Sequence, residues 1–343
     1  RADDGSGPFD AELWAALAEA GLLSIAIGED VGGAGLDFVA LSQVCAVAGE
    51  TAAYIPVIET LVMAADTIDR FGTAEQRAEW LPKIAVGELV ATAATAELVG
   101  DAIVEGLSKP ATRAEKTAGG WRLSGTKAYV AAGLRAQLLL VPASTPDGPA
   151  IFLVDAAGLA KERQDGPARP EAIIELDVEV GDDRLLGGSV AAGSEQVASL
   201  GVRTTSALCS FEGGVVTSAV KLAAEYSSER EQFGRKIATF QAVGQRLGDA
   251  YVDAEAIRLT ALQSAWRIAG GLPAAAETAI AKFWAADGGQ RVVHAATHVH
   301  GGVGVDRDYP LHRFFLLTRQ VELTLGGATS SVIEVGAEVS SRA

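Results

Sequence analysis

The feature that most constrains this chain is a double change of hydrophobic period: helical spacing, then short apolar runs, then helical spacing again. From Phe9 to about Gly87 apolar residues recur at three- and four-residue intervals, as in Leu13, Leu17 and Ala20 and again in Leu41, Val44, Val47 and Ala48. Gly32, Gly33 and Gly35 interrupt this pattern. Gly72 and Thr73 stand where one helix should stop and the next be capped before Glu75 to Trp80. Between about Leu89 and Leu200 the texture is that of strands: Trp121 to Leu123, Gln137 to Val141, Ile151 to Val154 and Ile173 to Val180. Gly119-Gly120, Pro146-Asp147-Gly148 and Gly187-Gly188 read as the turns between them. From about Thr204 the helical spacing returns, most clearly in Val243, Leu247, Ala250, Tyr251, Ala254, Ile257, Ala261 and Ala265. A sheet segregated from its helices predicts an α+β fold, with lobes at 1–89, 90–200 and 201–343.

Composition narrows the partners. Against 28 Lys plus Arg stand 44 Asp plus Glu, a formal charge of -16 that repels nucleic acid and anionic membranes. The 343 residues, 49% hydrophobic, suffice for a large core. Cys45 and Cys209 are far apart in apolar surroundings, which argues against a disulfide framework and fits a reducing cytoplasm. No apolar run is expected to be long enough to cross a bilayer. Arg1 to Pro8 are polar and Gly-containing without a signal-peptide core, and since residue 1 is not Met, further N-terminal sequence is expected.

Two motifs carry candidate chemistry. In Arg230-Glu231-Gln232-Phe233-Gly234, followed by Ile237, Phe240 and Gln241, a guanidinium at a helix break can fork onto a pyrophosphate while the backbone approaches closely at the glycine. The plainer alternative is a solvated turn between two helices. In His298-Val299-His300-Gly301-Gly302-Val303-Gly304, a Gly-rich run follows a helix rather than a strand, so it is not a dinucleotide-binding βαβ turn. His294 and His298 share a helix face, but no third metal ligand is placed by spacing, so no metal is expected. A helix cap and tight turn accounts for this run equally well.

Taken in order over nearly the whole chain, these segments resemble an acyl-CoA dehydrogenase. Glu12-Leu13-Trp14, Gly32-Gly33-Ala34-Gly35, Phe71-Gly72-Thr73, Trp80-Leu81-Pro82 and Gly87-Glu88 resemble that family's first helical domain. Gly125-Thr126-Lys127 resembles its middle β-domain, and the Arg230 and Gly301 motifs resemble its C-terminal domain. The resemblance implies an N-terminal helical domain, a middle β-barrel or sheet, and a C-terminal four-helix bundle. It also implies FAD as cofactor and desaturation of an acyl-CoA thioester to the 2,3-enoyl thioester. In the family, residues matching Arg230, Phe233, Gly234, Gln241, His298, Gly301 and Gly302 embrace the FAD held mainly by the neighbouring subunit. The family often has Gln where His298 stands.

Elsewhere the chain departs from the family pattern. Where Thr-Glu-Pro and Gly-Ser-Asp are usual it reads Thr95-Ala96-Glu97 and Leu98-Val99-Gly100-Asp101. After Lys127, the usual Trp, Ile, Thr or Ser, and Asn become Tyr129, Val130, Ala131 and Ala132. A flavin polar atom buried without its donor would cost on the order of 1–3 kcal/mol. Desaturation also needs a carboxylate to take the α-proton. The family's two positions for it are occupied here by Thr204 and by Leu325 or Gly326, with Glu212 and Glu322 as the nearest acids.

Division of labour explains both losses. The pattern resembles the base-lacking subunit of α2β2 bacterial acyl-CoA dehydrogenases of steroid side-chain degradation, in which the other subunit supplies the base. The implied partners are that homologous subunit, an acyl-CoA and electron-transfer flavoprotein. Two rivals remain: a self-sufficient homo-oligomeric flavoenzyme with a displaced base, and a flavin-free scaffold or CoA-ester binding subunit. Against the scaffold, Arg230 and Phe233 are retained, although an internal ion pair at Arg230 would explain its retention.

Overall fold

The structure, a computed structural model, describes residues 7–340; the polar stretch expected at 1–6 lies outside the described residues. The chain divides into two compact units, one of residues 1–41 and 54–204, the other of 42–53 and 205–343.

The first unit begins with helices. In α1 (Ala11–Glu19), Asp10 caps the free amides by accepting from Leu13 N–H, and the buried Trp14 donates its indole N–H to the Gly87 carbonyl at 3.1 Å. Two of the segments that carry the family resemblance are thereby in contact. After α2 (Phe38–Glu50), the segment Ile58–Asp66 is wound as a π-helix and runs on into α3 (Thr67–Phe71). Gly72 then leaves the helix in extended conformation, and Thr73 opens α4 (Ala74–Ala85) with a reciprocal capping box to Gln76. This is the stop-and-cap boundary that the sequence suggests.

The rest of this unit is one mixed sheet of β1 (Ala91–Ala93), β2 (Ala96–Val99), β3 (Ala102–Glu105), β4 (Arg113–Thr117), β5 (Gly120–Ala131), β6 (Leu138–Thr145), β7 (Gly148–Asp155), β8 (Lys161–Gln164) and β9 (Glu171–Val180). The twelve-residue β5 is its spine, pairing antiparallel with β4, β2 and β9. β6 forms a hairpin with β7 and takes β1 as a parallel neighbour. These pairings do not close on themselves, so of the two middle-domain forms expected, the open sheet is the one present. Leu123, Leu139, Val141, Phe152, Val154 and Ile174 fill its core, each large side chain contributing about 1.5–3 kcal/mol by leaving water. Pro146-Asp147 makes the β6–β7 turn as expected. Gly187-Gly188, read as a turn between strands, instead lies after the last strand of the sheet, in the short turns that lead to α5.

The second unit is helical: α5 (Gly193–Glu229, whose first residues belong to the first unit), α6 (Gln241–Ala269), α7 (Ala275–His300), α8 (Leu311–Thr324) and α9 (Gly327–Ser340). By length and composition α5 could span a bilayer, contrary to the expectation that no run would suffice. Its apolarity has another cause: Ala207, Cys209, Phe211, Val215, Val216, Ala219 and Ala223 form the buried axis of the bundle. The second half of α2 joins this unit across a very close crossing. A side chain at Gly49 would strike the Phe211 carbonyl, and one at Gly214 would strike that of Ala46.

Candidate cofactor site

At the end of α5 the chain turns back in a two-stranded hairpin, β10 (Glu231–Gln232) and β11 (Arg235–Lys236). The register leaves Phe233 and Gly234 as a two-residue turn, and both are left-handed, with φ 54° and 75°. Such a turn favours Asn-Gly; holding a bulky L-residue at its first position costs roughly 1–2 kcal/mol. The residue so held is also 92% exposed, with the ring of Phe240 edge-on to it at 6.2 Å. Arg230, just before the hairpin, is exposed, and among the described residues its guanidinium has no carboxylate partner, whereas Lys236 pairs with Glu231 at 2.9 Å. The internal ion pair that would have explained Arg230 is therefore not found among those residues.

The second motif arrives at the same end of the bundle. The Arg230 amide donates to the Tyr226 carbonyl at 2.9 Å, and the Tyr226 ring stacks on that of His300, centroids 4.4 Å apart. The next residue, Gly301, ends α7 with φ 61° and ψ −135°, and a side chain at Gly301 or Gly302 would meet only open space. His298 is exposed two residues before the buried His300, and Gln241 is the exposed first residue of α6. His294 lies edge-on to Phe315 at 5.1 Å, and no group of three metal-ligating side chains occurs among the described residues.

The segments of the sheet that depart from the family pattern present a different face. Residues 96–105 form the β2–β3 hairpin around a Gly100-Asp101 turn. Glu97 is buried there: it pairs with the buried Lys127 Nζ at 2.7 Å and accepts the Thr112 amide at 2.9 Å, while the same Nζ reaches the Pro142 carbonyl at 2.7 Å. Burial pushes the Lys127 ammonium down to about 8, and the neighbouring Lys127 holds the Glu97 carboxyl below its usual range despite its own burial. This pair escaped the sequence analysis because nothing in Glu97 or Lys127 separately marks them as partners thirty residues apart. Nearby, Tyr129 and Ala132 are left-handed without being glycine, at φ 47° and 55°, and Ala131 and Ala132 offer no side-chain hydrogen-bonding group.

The positions where a base would stand are apolar or hydroxylic. Thr204 lies half-buried on α5 with no hydrogen-bond partner for Oγ1 among the described residues. Leu325 is buried, and Gly326 is left-handed at φ 81°. Glu212 lies wholly inside the bundle, against Gly289, and accepts from Thr318 Oγ1 at 2.7 Å. Burial pushes its carboxyl up to about 8. Glu322 pairs with Arg319 at 2.5 Å.

Comparison with known proteins identifies the family. Residues 203–339 match the acyl-CoA dehydrogenase C-terminal domain and residues 1–88 its N-terminal domain. The chain is 39% identical over 345 residues to acyl-CoA dehydrogenase FadE27 of Mycobacterium tuberculosis, covering 96% of this chain and 88% of that one. It superposes on a chain of the ChsE4-ChsE5 complex from the same organism with TM-score 0.90 and 39% identity, over 97% of this chain and 88% of that one. A chain of the Tcur3481-Tcur3483 steroid ACAD gives TM-score 0.88 and 39% identity, over 97% and 89%.

Proposed function

The chain belongs to the acyl-CoA dehydrogenase family, and from that premise we propose that it is the subunit of a heteromeric dehydrogenase that completes a partner's flavin site and lacks a base of its own. The observation that carries the reading is the exposed end of the bundle. Arg230 has no carboxylate partner among the described residues, Phe233 is held outward at a conformational cost, and the open Gly301-Gly302 backbone shares that end. These residues fit an FAD presented by a second subunit. The guanidinium would grip the pyrophosphate, the phenyl ring would cover an apolar surface, and the glycine backbone would allow close approach. Gln241 and His298, both exposed, would add hydrogen bonds.

FAD, when bound, accepts the β-hydride of the acyl thioester. Nothing at Thr204, Leu325 or Gly326 can take the α-proton, so this chain leaves that step to a carboxylate of the partner. Glu212 does not substitute for it, because proton transfer needs hydrogen-bond reach to substrate and this carboxyl points into packed helices. The partner is a homologous acyl-CoA dehydrogenase subunit in an α2β2 assembly, and the substrate is the CoA ester of a steroid side chain, in keeping with the complexes that this chain resembles. Electron-transfer flavoprotein is the electron acceptor and the cytoplasm the compartment of this reading. The lobes at 1–89, 90–200 and 201–343 belong to it as well.

The test is FAD per polypeptide together with native mass, measured on the chain alone and after co-expression with an acyl-CoA dehydrogenase-like partner. Little flavin alone and one FAD per pair of unlike chains is the expected result. One FAD per chain in a homo-oligomer would overturn it.

A further inference from the structure

We infer that His300, with Tyr226 and Tyr309, is a positioning residue that fixes the Gly301-Gly302 backbone relative to Arg230; the inference rests on the shared-site reading above. His300 is 3% exposed, whereas His294 and His298 on the same helix are exposed. Its two nitrogens have different partners. Nδ1 lies 2.8 Å from the Ala296 carbonyl, which can only accept, so Nδ1 carries the proton. Nε2, 3.1 Å from the Tyr309 hydroxyl, is then the acceptor of that O–H. Burial, which lowers the imidazole's pKa, favours the same neutral form. Stacking on Tyr226 at 4.4 Å and 23° fixes the plane of the ring, and Tyr309 closes on it at 5.0 Å.

Each of the three residues is one step along the backbone from a different part of the site. His300 is bonded directly to Gly301. The backbone carbonyl of Tyr226 accepts the Arg230 amide. Tyr309 stands just before Pro310, the N-cap of α8. Gly301 and Gly302 have no side chains to hold them, and the Gly301 amide bonds back only to the Thr297 and His298 carbonyls of the last turn of α7. Fixing the end of that turn at His300 therefore helps to set their orientation. A phenyl ring at 300 would fill the same volume and keep the stack, but it would lose both directional bonds that stop the ring, and with it the helix end, from turning.

The test is FAD titration of the flavin-stripped native assembly, this chain with whatever acyl-CoA dehydrogenase subunit copurifies with it or, failing one, its homo-oligomer. His300→Phe should weaken flavin binding about tenfold, as expected for two lost neutral hydrogen bonds, and Tyr309→Phe about threefold. The double variant should be no weaker than His300→Phe alone, since the Tyr309 bond ends on that imidazole. Assembly mass should hold, and flavin affinity should fall by more than the drop in thermal midpoint from the lost internal bonds explains, which separates positioning from a purely structural role. Should His300→Phe fail to fold, Tyr309→Phe carries the same test with a single oxygen removed. If flavin affinity is unchanged in both variants, or falls only in proportion to stability, the inference is overturned. Arg230→Ala in the same titration separates the two ideas: unchanged flavin there defeats the shared-site reading, whereas a loss there with none in the His300 and Tyr309 variants defeats only the positioning role.

Discussion

The Arg230 end of the helical bundle and the β2–β5 corner of the sheet both match segments expected from the family resemblance to meet flavin, yet they have kept opposite things. At the bundle end the reactive side chains remain, exposed and, for Arg230, without a carboxylate partner among the described residues. At the sheet corner the unusual backbone remains, left-handed at Tyr129 and Ala132, while the hydroxyl and amide groups that such a backbone would present are absent. Glu97 and Lys127, also at that corner, are occupied with each other. A side chain aimed outward with nothing of its own to bind is best explained by something outside the chain. A left-handed backbone without hydrogen-bonding side chains is what the proposed division of labour would leave at this corner.

Substitutions at the two regions should therefore separate into folding effects and flavin effects. The largest folding effect is expected for Lys127→Met, which strands the buried Glu97 carboxylate and should cost about 3–5 kcal/mol in denaturant unfolding. A cost below about 1 kcal/mol would mean that the corner is not held by this pair. Arg230→Ala should leave unfolding unchanged while weakening FAD binding by the assembly roughly 10–100-fold, the range for a charge-assisted contact.

Glu212→Gln sharpens the contrast through pH. The folded carboxyl titrates at about 8 against 4.5 in the unfolded chain, so the folded state holds the proton more tightly. Its contribution to stability is fully present below about pH 4.5 and lost as pH rises through 8. The Gln variant should remove that slope between pH 4.5 and 8 and leave desaturation by the assembly intact; abolished turnover would instead make Glu212 the base. Phe233→Asn should move the two readouts in opposite directions, raising stability by about 0.5–1 kcal/mol as the turn relaxes and lowering flavin retention as the ring is lost. The smallest effect is expected for Ala132→Asn, a gain of about 0.5 kcal/mol, since Asn tolerates the left-handed conformation better than Ala. No gain would mean that contacts around residue 132 override its backbone preference.

What could be read beforehand follows from how local each signal is. The capping box at Thr73 and Gln76 uses residues three apart, and the strands at 121–123 and 151–154 announce themselves by their own composition. The Arg230 and Gly301 motifs were legible as motifs, but their meeting through Tyr226 and His300 depends on a stack between residues 74 positions apart, which no periodicity encodes. His300 itself looked like one more member of a histidine cluster; burial, visible only in three dimensions, distinguishes it from His294 and His298. The Gly187-Gly188 turn was misplaced because glycine pairs mark any sharp change of direction, including one that leads into a helix. Helix α5 was taken to be too short in apolar sequence because its hydroxyls and charges fall between the buried residues that form the bundle's axis.

The close crossing of Gly49 and Gly214 bears on how the protein is made. The segment Ser42–Ala53 leaves the ribosome early, but the rest of its unit, including the part of α5 that it crosses at Phe211 and Gly214, is made only from residue 205 onward. At about 5–20 residues per second the nascent segment waits on the order of 10–30 s for them. Through that interval Val44 and Ala48 have no lasting cover, so this stretch is where a chaperone has most to hold.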